Sequence, residues 1–161
     1  MNETIDVVWG DGEAGTPLSA FDAALADAGI HNYNLVTYSS MIPPGRRVVE
    51  AERLDATYGV GAPVGTVLAE NEATRTDETI AAGLGWIRAD EGGVMMESSA
   101  GSAAACRADL REKLADAKRI RDWNWEGEPE LVVHEYTVDR TGAVVVGAVY
   151  GPLSYADGEL R

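Results

Sequence analysis

Two adjacent serines, Ser39 and Ser40, close the run Asn32-Tyr33-Asn34-Leu35-Val36-Thr37-Tyr38, and Met41-Ile42-Pro43-Pro44-Gly45 follows at once. Each proline fixes φ and lacks a backbone donor, so the chain must turn directly beyond the serines. A Ser-Ser peptide bond then sits at a rigid corner, where one hydroxyl can attack the preceding carbonyl and cut the chain. Alone, the segment reads more simply as a strand end whose hydroxyls are satisfied by turn hydrogen bonds. The rest of the chain has to decide between the two.

Other site chemistries find little support. His31 and His134 stand alone, and Cys106 is the single cysteine, so there is no zinc spacing and no internal disulfide. That usage points to a reducing, cytoplasmic compartment. Asp11-Gly12-Glu13 lacks the alternating ligands of a calcium loop. Gly59, Gly61 and Gly65 miss the dinucleotide spacing, and there is no phosphate-binding loop. No Gly-x-Ser-x-Gly elbow supports a Ser-His-Asp triad. Carboxylates, hydroxyls and a cofactor made from the chain itself remain, with no metal expected.

The charge narrows the partners. Of 161 residues, 27 are acidic and 13 basic, a formal net charge of −14, and the only lysines are Lys113 and Lys118. Such a surface repels nucleic acid and anionic membranes. It suits either a salt-rich medium of the halophilic type or the steering of a cationic ligand. No apolar run reaches the roughly 18 residues that span a bilayer, and Met1-Asn2-Glu3-Thr4 resembles neither a signal nor a transit peptide.

The elements that would hold these residues follow from periodicity. Ile5 to Trp9 reads as a strand ended by a turn-rich loop over 10–15. Thr16 and Pro17 are N-cap and N1 of a helix whose apolar stripe is Leu18, Phe21, Ala24, Leu25 and Ala28, with Gly29 at C′. Asp22 lies at the margin of that stripe. Tyr33 to Tyr38 is a second strand, and 45–63 an irregular excursion. Val64 to Ala69 and Thr79 to Arg88 are further strands, the latter with Gly83 and Gly85 marking bulges or close packing. Val94 to Glu97 is a short apolar run ending on a carboxylate. A helix over Ala103 to Arg121 would bury Ala103, Cys106, Leu110, Leu114, Ala117 and Ile120. Leu131 to Val138 and Ala143 to Tyr150 read as a final hairpin around Asp139-Arg140-Thr141-Gly142. The order predicts a single α+β domain over 1–161, a layered sandwich of mainly antiparallel sheet covered by two main helices.

With these residues in view, the chain resembles the pyruvoyl-dependent arginine decarboxylases. Gly15-Thr16-Pro17-Leu18-Ser19-Ala20-Phe21-Asp22 resembles the family's first helix with its aspartate. Asn32 to Leu35 and Ser39-Ser40-Met41-Ile42-Pro43-Pro44 resemble its self-cleavage segment, and Gly92-Gly93-Val94-Met95-Met96-Glu97 the strand carrying its acid. The likeness spans nearly the whole chain and weakens from about Gly151.

The resemblance implies a zymogen cut between Ser39 and Ser40 into 1–39 and 40–161. Ser40 would become a pyruvoyl group, in place of pyridoxal phosphate. It implies decarboxylation of arginine to agmatine, a polyamine-type reaction, in a homotrimer with sites between subunits. Ser40 and Glu97 would be catalytic, Glu97 as the proton donor. Asp22, Asn34 and Ser39 would hold substrate, with Asp22 gripping the guanidinium. Read without the family, Glu97 is a solvated strand-end acid, Asp22 a helix-surface acid, Asn34 a polar strand residue and Cys106 a small core residue. The second serine pair, Ser98-Ser99, reads as polar turn chemistry. Decarboxylation of another amino acid, or an unprocessed acidic binding module of the same fold, are the competing readings.

Overall fold

Gly142 to Gly151 is buried at every position, so this stretch can only be the central strand of a sheet covered on both faces. The computed structural model describes residues 4–156 and 159–160. In order, its elements are β1 (Thr4–Glu13), α1 (Pro17–Ala28), β2 (Asn34–Thr37), β3 (Met41–Ile42), β4 (Arg47–Glu52), β5 (Pro63–Ala73), β6 (Thr79–Ala89), β7 (Gly92–Ala100), α2 (Ala103–Ile120), β8 (Trp125–Thr137), β9 (Gly142–Pro152), β10 (Tyr155–Ala156) and β11 (Glu159–Leu160). A five-stranded sheet has the order β2-β5-β9-β1-β4, a four-stranded sheet the order β3-β7-β6-β8, and β10 pairs with β11.

The two large sheets pack face to face. Ile5, Val7, Val67, Val144 and Val146 from one meet Leu84, Trp86, Met95 and Val132 from the other. Helix α1 covers the outer face of the five-stranded sheet through Ala20, Ala24, Leu25 and Ala28, against Val8, Val145 and Val149. Helix α2 covers the other outer face, with Cys106 and Leu110 buried beside Ala81. The result is a four-layer α/β/β/α sandwich. Pairing is antiparallel except for β1–β4 and β2–β5, which are parallel. The α+β sandwich with two covering helices is therefore as the sequence predicts. The caps hold too: Thr16 accepts from the Ser19 backbone N–H, and Gly29 adopts φ 82°. No helix among the described residues is long and apolar enough to cross a membrane.

Several local expectations are corrected. Strand β1 runs on through Gly10 and Gly12, because these glycines are close-packing sites. A Cβ at Gly10 would sit 2.6 Å from the Ala24 carbonyl oxygen, and one at Gly12 2.6 Å from Ala23 Cβ. Residues 47–52 are not irregular but form β4, an edge strand parallel to β1. Leu18 and Ile120 are exposed, so the helix stripes are narrower than their spacing suggests. The last two long strands make no hairpin. β9 lies between β5 and β1, β8 pairs with β6, and the 138–141 link crosses from one sheet to the other. A fully apolar strand seeks the centre of a covered sheet, whereas β8, with alternating burial, can serve as an edge. Ser98-Ser99 belongs to β7 rather than a turn.

Candidate active site

The short β3 begins one residue beyond Ser40 and adds to the edge of β7, with Met41 opposite Val94 and Ile42 opposite Gly93. This pairing brings the serine corner against the strand that carries Glu97. The Ser40 hydroxyl donates to Glu97 Oε1 at 3.1 Å, and the Ser40 carbonyl accepts from the Met95 N–H at 2.9 Å. Both side chains are half-buried, while Ser39 is exposed. Ser40 has φ 63°, the left-handed region that L-residues with a Cβ rarely adopt. Such strain persists only where the surroundings over-determine it, and it gathers at functional sites.

Glu97 is aimed by strand alternation. Met95 packs between the sheets and Met96 outward under α2, so Glu97 points back toward the inter-sheet space. Its backbone is anchored from α2, where Lys113 Nζ donates to the Glu97 carbonyl at 2.8 Å. Lys113 also pairs with Asp109 at 2.7 Å, and the buried Ser98 hydroxyl donates to that same carboxylate at 2.5 Å. These bonds hold the Asp109 carboxyl below its ordinary value, the Lys113 bond first and the Ser98 bond second. Beside Glu97 lies an open surface depression of about 310 Å³, lined by Glu97, Ser99, Leu68, Glu70 and Lys113 among others but not by Ser39 or Ser40. That volume suits a small polar ligand.

The structure brings Ser39, Ser40 and Glu97 together, but not Asp22 or Asn34. Asp22 is exposed on α1, on the far face of the five-stranded sheet, and no described hydrogen bond or ion pair joins it to Ser40 or Glu97. Asn34 opens β2 and donates through its amide to the Gly61 carbonyl at 2.8 Å. Three residues near the corner escaped the sequence reading. Tyr150 Oη donates to the Met41 carbonyl at 2.9 Å, the Arg46 guanidinium lies 5.7 Å from the centre of the Tyr150 ring, and Tyr38 meets that ring edge-on at 5.0 Å. Nothing in their types marked them, since each lies in what reads as ordinary strand or loop. His134 does not stand alone; its Nε2 lies 2.7 Å from Asp11 Oδ2, away from this site.

The sequence model of the family described as pyruvoyl-dependent arginine decarboxylase matches residues 4–154. The chain belongs to this family. Among curated relatives, a pyruvoyl-dependent arginine decarboxylase of Halobacterium salinarum is 35% identical over 154 residues, covering 91% of this chain and 93% of that protein. One from Methanococcus vannielii is 32% identical, covering 90% and 88%, and one from Pyrococcus horikoshii 34%, covering 85% and 87%. The family resemblance drawn from the serine corner, the first helix and the Glu97 strand is thus borne out. Family members depend on a pyruvoyl group, and the residues here fit one. A residue at position 40 has its carbonyl held by the Met95 N–H and a carboxylic acid within hydrogen-bond reach.

Proposed function

We propose that this protein cuts itself between Ser39 and Ser40 and then decarboxylates arginine to agmatine, a step of the kind that feeds polyamine synthesis. The observation that carries the reading is Ser40, strained at φ 63° with its hydroxyl on Glu97, at the proline corner of a member of this family. Cleavage begins when Ser40 Oγ attacks the Ser39 carbonyl carbon. The C–N bond breaks, an ester forms, and the hydroxyl proton passes to the freed amine. Loss of the Ser40 α-proton expels Ser39 as a carboxylate and leaves a dehydroalanine at position 40. Water then replaces its nitrogen, releasing ammonia and leaving a pyruvoyl group.

Once formed, that group supplies a carbonyl that captures the substrate amine and an electron sink for the departing CO2. The chain's own residues do the rest. The Met95 N–H polarises the carbonyl of residue 40. Glu97, close to position 40, delivers the proton to the substrate carbon. Asp22 grips the guanidinium with two parallel hydrogen bonds, a geometry lysine and ornithine cannot offer. Asn34 and Ser39 complete the substrate pocket.

The separation of Asp22 from Glu97 within one protomer supports the homotrimer that the family resemblance implies, with Asp22 and Glu97 of neighbouring subunits facing one substrate. Sedimentation of the purified protein tests the trimer. A denaturing mass spectrum tests the cleavage: fragments 1–39 and 40–161 are expected, with the larger blocked to N-terminal sequencing, and Ser40→Ala remaining whole and inactive. An active, uncut Ser40→Ala protein overturns the mechanism. Charge-assisted hydrogen bonds are worth roughly 1.5–3 kcal/mol, so Asp22→Asn should lower kcat/KM for arginine by about ten- to a hundredfold. Its cleavage should be unchanged; an arginine preference equal to wild type would return Asp22 to the helix surface.

A further inference from the structure

Strand β9 carries one more residue than β5 can match. Gly65 lies opposite Gly151 and Thr66 opposite Val149, so Tyr150 is the extra residue of a bulge. Bulges interrupt the pairing of a strand and recur beside active sites. Tyr150 keeps the alternation of β9, facing inward like Val144, Val146 and Ala148, so its ring lies in the space between the sheets, where the residue is 6% exposed. Its hydroxyl donates to the carbonyl of Met41, the residue just after Ser40. Its ring meets that of Tyr38, the residue just before Ser39, at 5.0 Å and 66°. Tyr38 can lie there because position 65 is glycine: a Cβ would sit 2.3 Å from Tyr38 Cζ. Arg46 closes the other side, its guanidinium near the ring and its Nη2 donating to the carbonyls of Tyr150 and Thr4.

We propose that Tyr150 is a positioning residue for self-cleavage, holding the chain on both sides of the Ser39–Ser40 bond: the Met41 carbonyl by its hydroxyl and the Tyr38 ring by its own. The inference rests on the cleavage reading given above and adds to it the group that keeps Ser40 in its strained conformation. Two contacts flank the bond and converge on one buried side chain, so the corner cannot relax by swinging either end. Burial pushes the phenol up to about 12, with Glu97 and Tyr38 acting in the same direction and Arg46 opposing, so the hydroxyl remains a donor at any physiological pH. After the cut the same contacts keep residue 40 and residue 38 near Glu97, although they then belong to separate chains.

The test uses the full 161-residue chain, freshly synthesised, with cleavage followed over time by denaturing mass spectrometry. Tyr150→Phe keeps the ring and loses only the hydroxyl. It should cleave about three- to tenfold more slowly, the worth of one net hydrogen bond, while its melting temperature falls by no more than about 2–4 °C. Val145→Ala thins the core beneath α1, away from the corner; it should melt lower yet cleave at the wild-type rate. If Tyr150→Phe cleaves at the wild-type rate, or both variants slow in proportion to their loss of stability, Tyr150 is only a core residue. A wild-type chain that stays whole would overturn cleavage itself, and this inference with it.

Discussion

Ser40 carries a Cβ in the left-handed region, at a cost of about 1–2 kcal/mol that glycine does not bear. Two variants that cannot cleave isolate this strain. Ser40→Gly should melt above Ser40→Ala, and at about 1 kcal/mol the gap should be about 2–4 °C for a chain of this size. Equal melting temperatures in a thermal scan would mean the corner is unstrained. Glu97 is separable from cleavage in the same way. Glutamine keeps an oxygen to accept the Ser40 hydroxyl but has no proton to give, so Glu97→Gln should still be cut while its turnover falls by about 10²–10⁴-fold. Arginine should remain trappable on the enzyme by borohydride. Unchanged turnover would make Glu97 a strand-end acid. At this scale the sequence singled out Ser40 and Glu97 by residue type and order, and the structure places their side chains in hydrogen-bond contact. Tyr150, Arg46 and Tyr38 were illegible because their contacts join residues far apart in the chain and use the space left by the missing Cβ at Gly65.

The elements position Glu97 from two sides. Strand β7 supplies direction by alternation, and α2 fixes the strand's depth through Lys113 and the Asp109–Ser98 hydrogen bond. Ser98→Ala removes a buried partner of Asp109, and about 1 kcal/mol should be lost, or about 2–4 °C in melting temperature. The pH dependence has a definite sign. A carboxyl held low when folded adds stability that is full above its unfolded value and fades as pH falls through the folded one. The wild-type advantage over Ser98→Ala should therefore be present at neutral pH and shrink below about pH 4, the unfolded carboxyl range. Since Asp109 is partly exposed and screened, the shrinkage should be modest. An advantage constant to pH 2 would remove Asp109 from the account. Elements were read well where a cap or a stop residue marks them, as for α1 between Thr16 and Gly29. They were misread where the outcome depends on a distant partner. Gly10 and Gly12 look like turn residues until α1 lies across them, and β9 looks like half of a hairpin until its buried flanks demand a place between β5 and β1.

For the whole molecule the charge is the dominant fact. A net charge of −14 on 161 residues is barely relieved by pairing. Among the described residues three ion pairs stand out, two of them between near neighbours on α2. Self-repulsion therefore opposes the compact state and should be strongest at low ionic strength. Screening tests this directly, because the Debye length falls from about 30 Å at 0.01 M to about 10 Å at 0.1 M and about 3 Å at 1 M. Melting temperature should rise as potassium chloride is added, and most of the rise should come before about 0.5 M, where the screening length changes fastest. Screening and salt exclusion differ in shape. If stability came instead from stronger apolar burial in concentrated salt, the rise would continue through the molar range rather than level off. A melting temperature that is flat or falls with salt would show that the acidic surface is not a burden on folding. Its purpose would then be local, as a field that draws a cationic substrate such as arginine toward Glu97 and Asp22.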